Sequence, residues 1–156
     1  MVTVGMDNSI QRKGRTMIYI GIDTGTHTGF AVWDSKQKRL LDLETLPIHR
    51  ALERVHDFNL IAETMGTFIH VVFEDARLRR WYSGDATAKM QGAGSIKRDA
   101  AIWEDFLTDY KYDFTMVVPQ KGMTKMNEEY FKTLTGWNGR TSNHARDAAL
   151  LVIGRH

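Results

Sequence analysis

The sequence predicts an α/β fold in which a five-stranded mixed sheet is flanked by helices. Three observations carry this expectation. Two runs rich in β-branched and aromatic residues, Met17 to Asp23 and Thr28 to Trp33, are separated by a glycine-containing turn. A further run, "FIHVVFE" from Phe68 to Glu74, is almost continuously apolar, the mark of a strand buried on both faces of a parallel sheet. Between and after these runs lie stretches whose apolar residues recur every three or four positions, the period of a helix packed on one side.

Taken in order, "MVTVGMDNSIQRKGRT" mixes glycine, polar and charged residues, so residues 1–16 read as a loose, flexible extension and 17–156 as one folded domain. Ile18 to Trp33 forms a hairpin, and after the polar turn "DSKQ" the segment "KRLLDLETL" adds a third strand. This strand is expected at the sheet edge with its charges facing solvent. Pro47 ends the meander. Ile48, Leu52, Val55, Phe58, Ala62 and Met65 then mark a helix that stops at Gly66. A helix between strands makes a right-handed crossover, which lays the Phe68–Glu74 strand parallel to the first.

The polar, basic stretch from Asp75 to Gly94 reads as a loop with helical turns, after which Ser95 is the expected N-cap of a second helix. Ile96, Ala100, Trp103, Leu107 and Tyr110 lie on the inner face of that helix. "DFTMVVP" is the fifth strand, stopped by Pro119. A short helix around "NEEYFKTL" and a last one from His144 to Ile153, closed by Gly154, complete the order.

Composition narrows the chemistry. The chain has 156 residues, 42% hydrophobic and 26% charged, an ordinary globular mixture. It contains no cysteine, so a disulfide framework, thiolate metal ligands and a cysteine nucleophile are excluded and any reaction falls to oxygen and imidazole groups. No apolar run reaches the length of a membrane span, and a cytoplasmic protein without a membrane partner is expected. The net charge of +2 is a weak indication of nucleic acid.

Asp23 ends the first strand and Glu74 the fourth; neighbouring strands lie roughly 4.8 Å apart, so the two carboxylates can meet at one end of the sheet. In "HARDAALLV", His144 and Asp147 are three residues apart and share a helix face. Packed over that end of the sheet, the last helix would add a third acid and an imidazole. Three ionised carboxylates repel one another unless something compensates them. Oxygen ligands without thiolates favour Mg²⁺, with Mn²⁺ as a substitute. Two such ions about 3.5–4 Å apart would activate a water and stabilise a leaving oxygen, which points to metal-dependent phosphodiester hydrolysis.

The segments "GIDTGTHTGFAV", "VVFEDARL", "GAGSIKRDAAIWEDFL" and "TGWNGRTSNHARDAALLV", in that order, resemble a RuvC-type Holliday-junction resolvase, particularly the compact bacteriophage-like versions. The resemblance runs from about Met17 to the end. It implies a ribonuclease-H-like fold, a homodimer, and paired symmetric nicks in a four-way DNA junction that leave ligatable 5′-phosphate ends. A bacterial or phage-infected cell is the implied setting. Asp23, Glu74 and Asp147 match the family's catalytic, metal-holding carboxylates, and His144 falls where its members carry Asp or His. Arg77 to Gly94 matches no cleavage-sequence reader.

Beside the acids, Arg77, Arg79 and Arg80 follow directly on Glu74 and are candidates for DNA phosphate, with Trp81 or Tyr82 placed to stack on an unpaired base. Lys97, Lys121, Lys125 and Arg140 are further DNA-binding candidates. Arg98 is another; each of these is equally an ordinary surface residue. Trp103, Phe106 and Tyr110 read as core or dimer interface, with Trp103 and Phe106 widening the apolar stripe of the second helix beyond one core face. Trp137 reads as packing. A sugar-kinase-like reading of "IDTGTHTG" fails for want of a second phosphate-binding hairpin. A ribonuclease H acting on RNA:DNA hybrids, a nuclease for other branched DNA and a non-cleaving junction-binding module are the alternatives.

Overall fold

The computed structural model describes residues 2–4, 16–78, 86–119 and 126–156, the stretches 2–4 and 86–93 by backbone alone. Six strands form one sheet: β1 (Val2–Val4), β2 (Ile18–Asp23), β3 (His27–Asp34), β4 (Arg39–Pro47), β5 (Ile69–Glu74) and β6 (Asp113–Val117). The helices are α1 (Ile48–Thr64), α2 (Ala86–Asp109), α3 (Glu128–Thr135) and α4 (Asn143–Leu150), with a short 3₁₀ turn at Ala76–Leu78.

The sheet runs β1-β6-β5-β2-β3-β4. β2, β3 and β4 form an antiparallel meander, and β5 and β6 are added parallel to β2 on its other side. This is the mixed α/β sheet that the sequence leads one to expect, its five longer strands in the order β6-β5-β2-β3-β4. Two expectations are corrected. Val2–Val4, read as part of a flexible extension, is a sixth strand that pairs antiparallel with β6, Val2 opposite Met116 and Val4 opposite Phe114. Three residues carry too little periodic signal to reveal a partner more than a hundred positions away. The second helix starts at Ala86 instead of Ser95, so Ser95 lies inside it and caps nothing. The glycines of "QGAG" suggested a loop, but the alanines, Lys89, Met90 and Gln91 around them are good helix formers and carry the turn through.

Alternation along the strands sorts side chains to two faces. Ile18, Ile20 and Ile22 of β2 and Ile69, Val71 and Phe73 of β5 join Val55 and Phe58 of α1 and Trp103 and Leu107 of α2 in the larger core. Tyr19, Ala31 and Val72 face the other way, against Phe131 of α3 and Ala145, Ala148, Ala149 and Val152 at the end of the chain.

β4 is the edge strand, as its position in the meander predicts, yet its charges are not simply solvated. Arg54 of α1 pairs with Asp42, with Glu44 at 3.2 Å and with Asp57 at 3.8 Å, and lies over the Phe58 ring. Partial burial, with Asp42 beside it, raises the Glu44 carboxyl above its ordinary range, against the opposing pull of Arg54. Among the described residues no helix is long and apolar enough to cross a membrane.

Candidate functional site

β2 and β5 pair in parallel up to Ile22 beside Phe73, and Asp23 and Glu74 follow directly as the last residues of the two adjacent strands. By alternation both lie on the face opposite Ile22 and Phe73, the face that α4 covers. An acid on each strand thus reaches the same edge of the same face without any loop to carry it.

The approach of α4 is set by small residues on both partners. A Cβ placed on Gly21 would stand 2.1 Å from the Ala148 carbonyl oxygen, and one on Gly29 would stand 1.9 Å from that of His144. Gly29 is opposite Asp23 in the β2–β3 ladder. The helix backbone therefore rests directly on the strand backbones, which only glycine permits. Ser142 starts α4 by accepting the Ala145 N–H at 3.0 Å and also meets the Thr45 hydroxyl across the gap to β4.

This seat brings His144 onto Asp23: the ring Nδ1 lies 2.9 Å from Oδ2. An ionised carboxylate can only accept, so Nδ1 donates and Nε2 is the nitrogen that Asp23 does not engage. The His144 side chain is 49% exposed and that of Asp23 22%, which leaves the pair open to a solute. Asp147 is half-buried one helical turn further on.

The structure thus joins Asp23 to His144, with Glu74 on the neighbouring strand end and Asp147 on the same helix. It does not draw all four into one cage: among the described residues no three His, Asp or Glu side chains are grouped closely enough to hold a metal ion. The donor chemistry, hard carboxylate oxygens and one imidazole, fits Mg²⁺ or Mn²⁺.

Asp75 is a different kind of acid. It is buried, and the Arg77 guanidinium grips it through Nε at 2.9 and 3.0 Å and Nη2 at 2.7 Å, while the Arg77 amide donates to the same carboxylate at 2.9 Å. Arg77 also reaches Glu104 of α2 at 3.4 Å. The hydrogen bonds to Asp75 hold the guanidinium even more firmly protonated than usual. Read from sequence as a phosphate contact, Arg77 instead neutralises a buried charge and ties the segment after Glu74 to α2. A desolvated acid two residues away is a stronger claim on a guanidinium than solvent.

Of the other candidates, Lys97, Arg98 and Arg140 are exposed. Arg79, Arg80, Trp81, Tyr82, Lys121 and Lys125 lie outside the described residues. Trp103 is fully buried in the core, so the dimer-interface reading does not hold for it. Phe106 packs among His56, Tyr110 and Tyr112, with ring centroids 5.2 to 6.2 Å apart. Trp137 packs against the smaller core, as expected.

Sequence reasoning missed Gly21, Gly29 and Arg146. The first two had a readable signal, since glycine within an apolar strand marks close backbone approach. Arg146 had none, because an arginine in a short helix ordinarily points to water; here it is buried.

No family model and no curated protein matches the chain. Among solved structures the chain is similar to one described as Thermus thermophilus RuvC structure, at 19% sequence identity and a TM-score of 0.45 over 88% of this chain and 92% of that one.

Proposed function

We propose that this protein is a metal-dependent, structure-specific endodeoxyribonuclease that resolves four-way DNA junctions by paired symmetric nicks. The observation that carries the reading is the Asp23–His144 pair at the end of β2, with Glu74 ending the adjacent parallel strand. An acid bonded to an imidazole at a strand end, with one further acid on the neighbouring strand and another on the same helix, is the kind of titratable cluster that marks a functional site. The four sequence motifs that surround these residues supply the substrate class.

Asp23, Glu74, Asp147 and His144 would hold two Mg²⁺ ions, or Mn²⁺ in their place. When bound, these supply an activated water and charge stabilisation at the leaving oxygen. Asp23 has two tasks in this scheme, to orient His144 through Oδ2 and to hold a cation. With Nδ1 held as the donor, Nε2 is the basic nitrogen, able to bind a cation or to take a proton from the attacking water. Exposed Lys97 and Arg140 are proposed to contact phosphates, together with Arg79, Arg80, Lys121 and Lys125. Arg77 is withdrawn from that set because its charge is spent on Asp75.

Two symmetric nicks call for two sites related by a two-fold axis, hence a homodimer. On α2 and just beyond its end the apolar side chains offered to such a partner are Ile96, Ile102 and Tyr110, all exposed. Sedimentation at micromolar concentration tests this part, and a strict monomer would count against it.

The deciding experiment is cleavage of a labelled mobile four-way junction beside a linear duplex and an RNA:DNA hybrid, with Mg²⁺, Mn²⁺ or EDTA and an Asp23→Asn control. Paired nicks in the junction, dependent on cation and lost in the variant, are expected. Cutting confined to the hybrid would make the protein a ribonuclease H, and junction binding without cutting would make it a binding module.

A further inference from the structure

Arg146 stands between His144 and Asp147 in sequence but points away from both, into the protein, where it is 8% exposed. Its Nε donates to the Met126 carbonyl oxygen at 2.8 Å, its Nη2 to Asn143 Oδ1 at 2.7 Å, and its Nη1 to the Thr141 hydroxyl. Its amide donates to the Ser142 carbonyl oxygen at 3.0 Å. Among the described residues no carboxylate lies within ion-pair distance of it, and the opposite charge that feels it is that of Glu128, on the exposed first turn of α3.

Such a residue is costly on two counts. A guanidinium removed from water and met by neutral oxygens recovers less of its hydration than one met by an acid. A cation in the first turn of a helix also opposes the helix dipole. What the arrangement supplies is geometry: a planar fork with donors in fixed directions fastens residues 126, 141 and 143 at once. Thr141 and Asn143 are the approach to α4 and its first turn, where a helix is otherwise free to fray, and Met126 lies just before α3, so the fork ties the start of one helix to the start of the other.

The geometry points to Arg146 as a positioning residue that fixes the first turn of α4 so that the His144 ring stays on Asp23. It touches neither substrate nor cation. In relating this to cation binding and cleavage the inference rests on the function proposed above; the orientation of the His144 ring does not.

The test is Arg146→Lys, which keeps the charge but replaces the three-way fork by a single ammonium. In the cation-free protein, ¹H–¹⁵N correlation of the imidazole nitrogens should show His144 held in one tautomer, protonated at Nδ1, in the wild type and a mixture of tautomers in the variant. Mn²⁺ affinity should fall about tenfold or more, as losses of supporting hydrogen bonds around metal sites do. On junction DNA, kcat should fall while KM stays within about twofold. An unchanged ring signature in a folded variant that merely melts earlier overturns the inference. If wild type neither binds Mn²⁺ nor cuts a junction, the proposed function fails and the ring signature still decides for Arg146. Should Arg146→Lys not fold, Asn143→Ala removes one exposed acceptor of the fork. Mixed tautomers of His144 in that variant would support the positioning role, and an unchanged ring signature would overturn it.

Discussion

The two faces of the sheet are built by opposite rules. On one, Ile, Val, Phe and Trp side chains of β2, β5, β6, α1 and α2 fill a thick layer, and the helices are held off by the bulk between them. On the other, Gly21 of β2 meets Ala148 of α4 and Gly29 of β3 meets the His144 carbonyl, and helix backbone touches strand backbone. The first arrangement stores stability, since each buried large side chain contributes roughly 1.5–3 kcal/mol. The second fixes position: a backbone contact has no rotamers to adjust, so His144 is placed by the chain itself. The lesson is that stability and placement are assigned here to different sides of the same strands, Ile22 facing one and Asp23 the other.

The contrast can be broken from either side. The largest loss of stability is expected from Phe114→Ala on the thick face, about 3–5 kcal/mol by denaturant unfolding, because it both removes buried surface and leaves a cavity beside Phe73. Mn²⁺ binding by the folded fraction should be unchanged. Next is Gly29→Ala on the thin face, about 3 kcal/mol, the upper part of the usual range because the clash is with backbone that cannot rotate away. This added methyl meets the His144 carbonyl and comes within 3.0 Å of the Asp23 Cβ, so junction cutting should drop by at least a hundredfold in protein that is still folded. A Gly29→Ala variant with wild-type cutting would show that the close seat is not what places His144.

His144→Ala sharpens the same point, because the ring is half exposed and unfolding should move by no more than about 0.5 kcal/mol while cutting is lost. Smallest is the effect of Glu44→Gln at the β4 edge. The carboxyl of Glu44 is raised in the folded state, so between its unfolded and folded values the folded chain binds more protons. Its contribution is present below the unfolded value and lost as pH rises through the folded one. Glu44→Gln should flatten that fall in a pH series of melting curves, by an amount kept small by solvent at the edge.

Much of this was legible in the chain. The meander, the crossover and the two parallel strands follow from runs long enough to show their period. The pair of strand-end acids follows from the register those runs impose. What was hidden depends on tertiary context. Val2–Val4 is a strand because β6 offers an unpaired edge, and α2 begins early because helix-forming neighbours outweigh two glycines. Arg77 and Arg146 look alike in sequence to Arg140, yet the first answers a buried acid, the second fastens a helix start and the third is exposed. Only packing distinguishes them.

Asp23 and His144 are separated by 121 positions. Synthesis proceeds from the amino end, so the hairpin bearing Asp23 is available to pair long before α4 exists to cover it. Closing so long a loop depends on the rest of the sheet having formed, since the glycine seat for α4 spans β2 and β3 together. A partly made chain therefore carries Asp23 and Glu74 but neither His144 nor Asp147, and the Asp23–His144 pair is completed only when the last helix docks on the sheet.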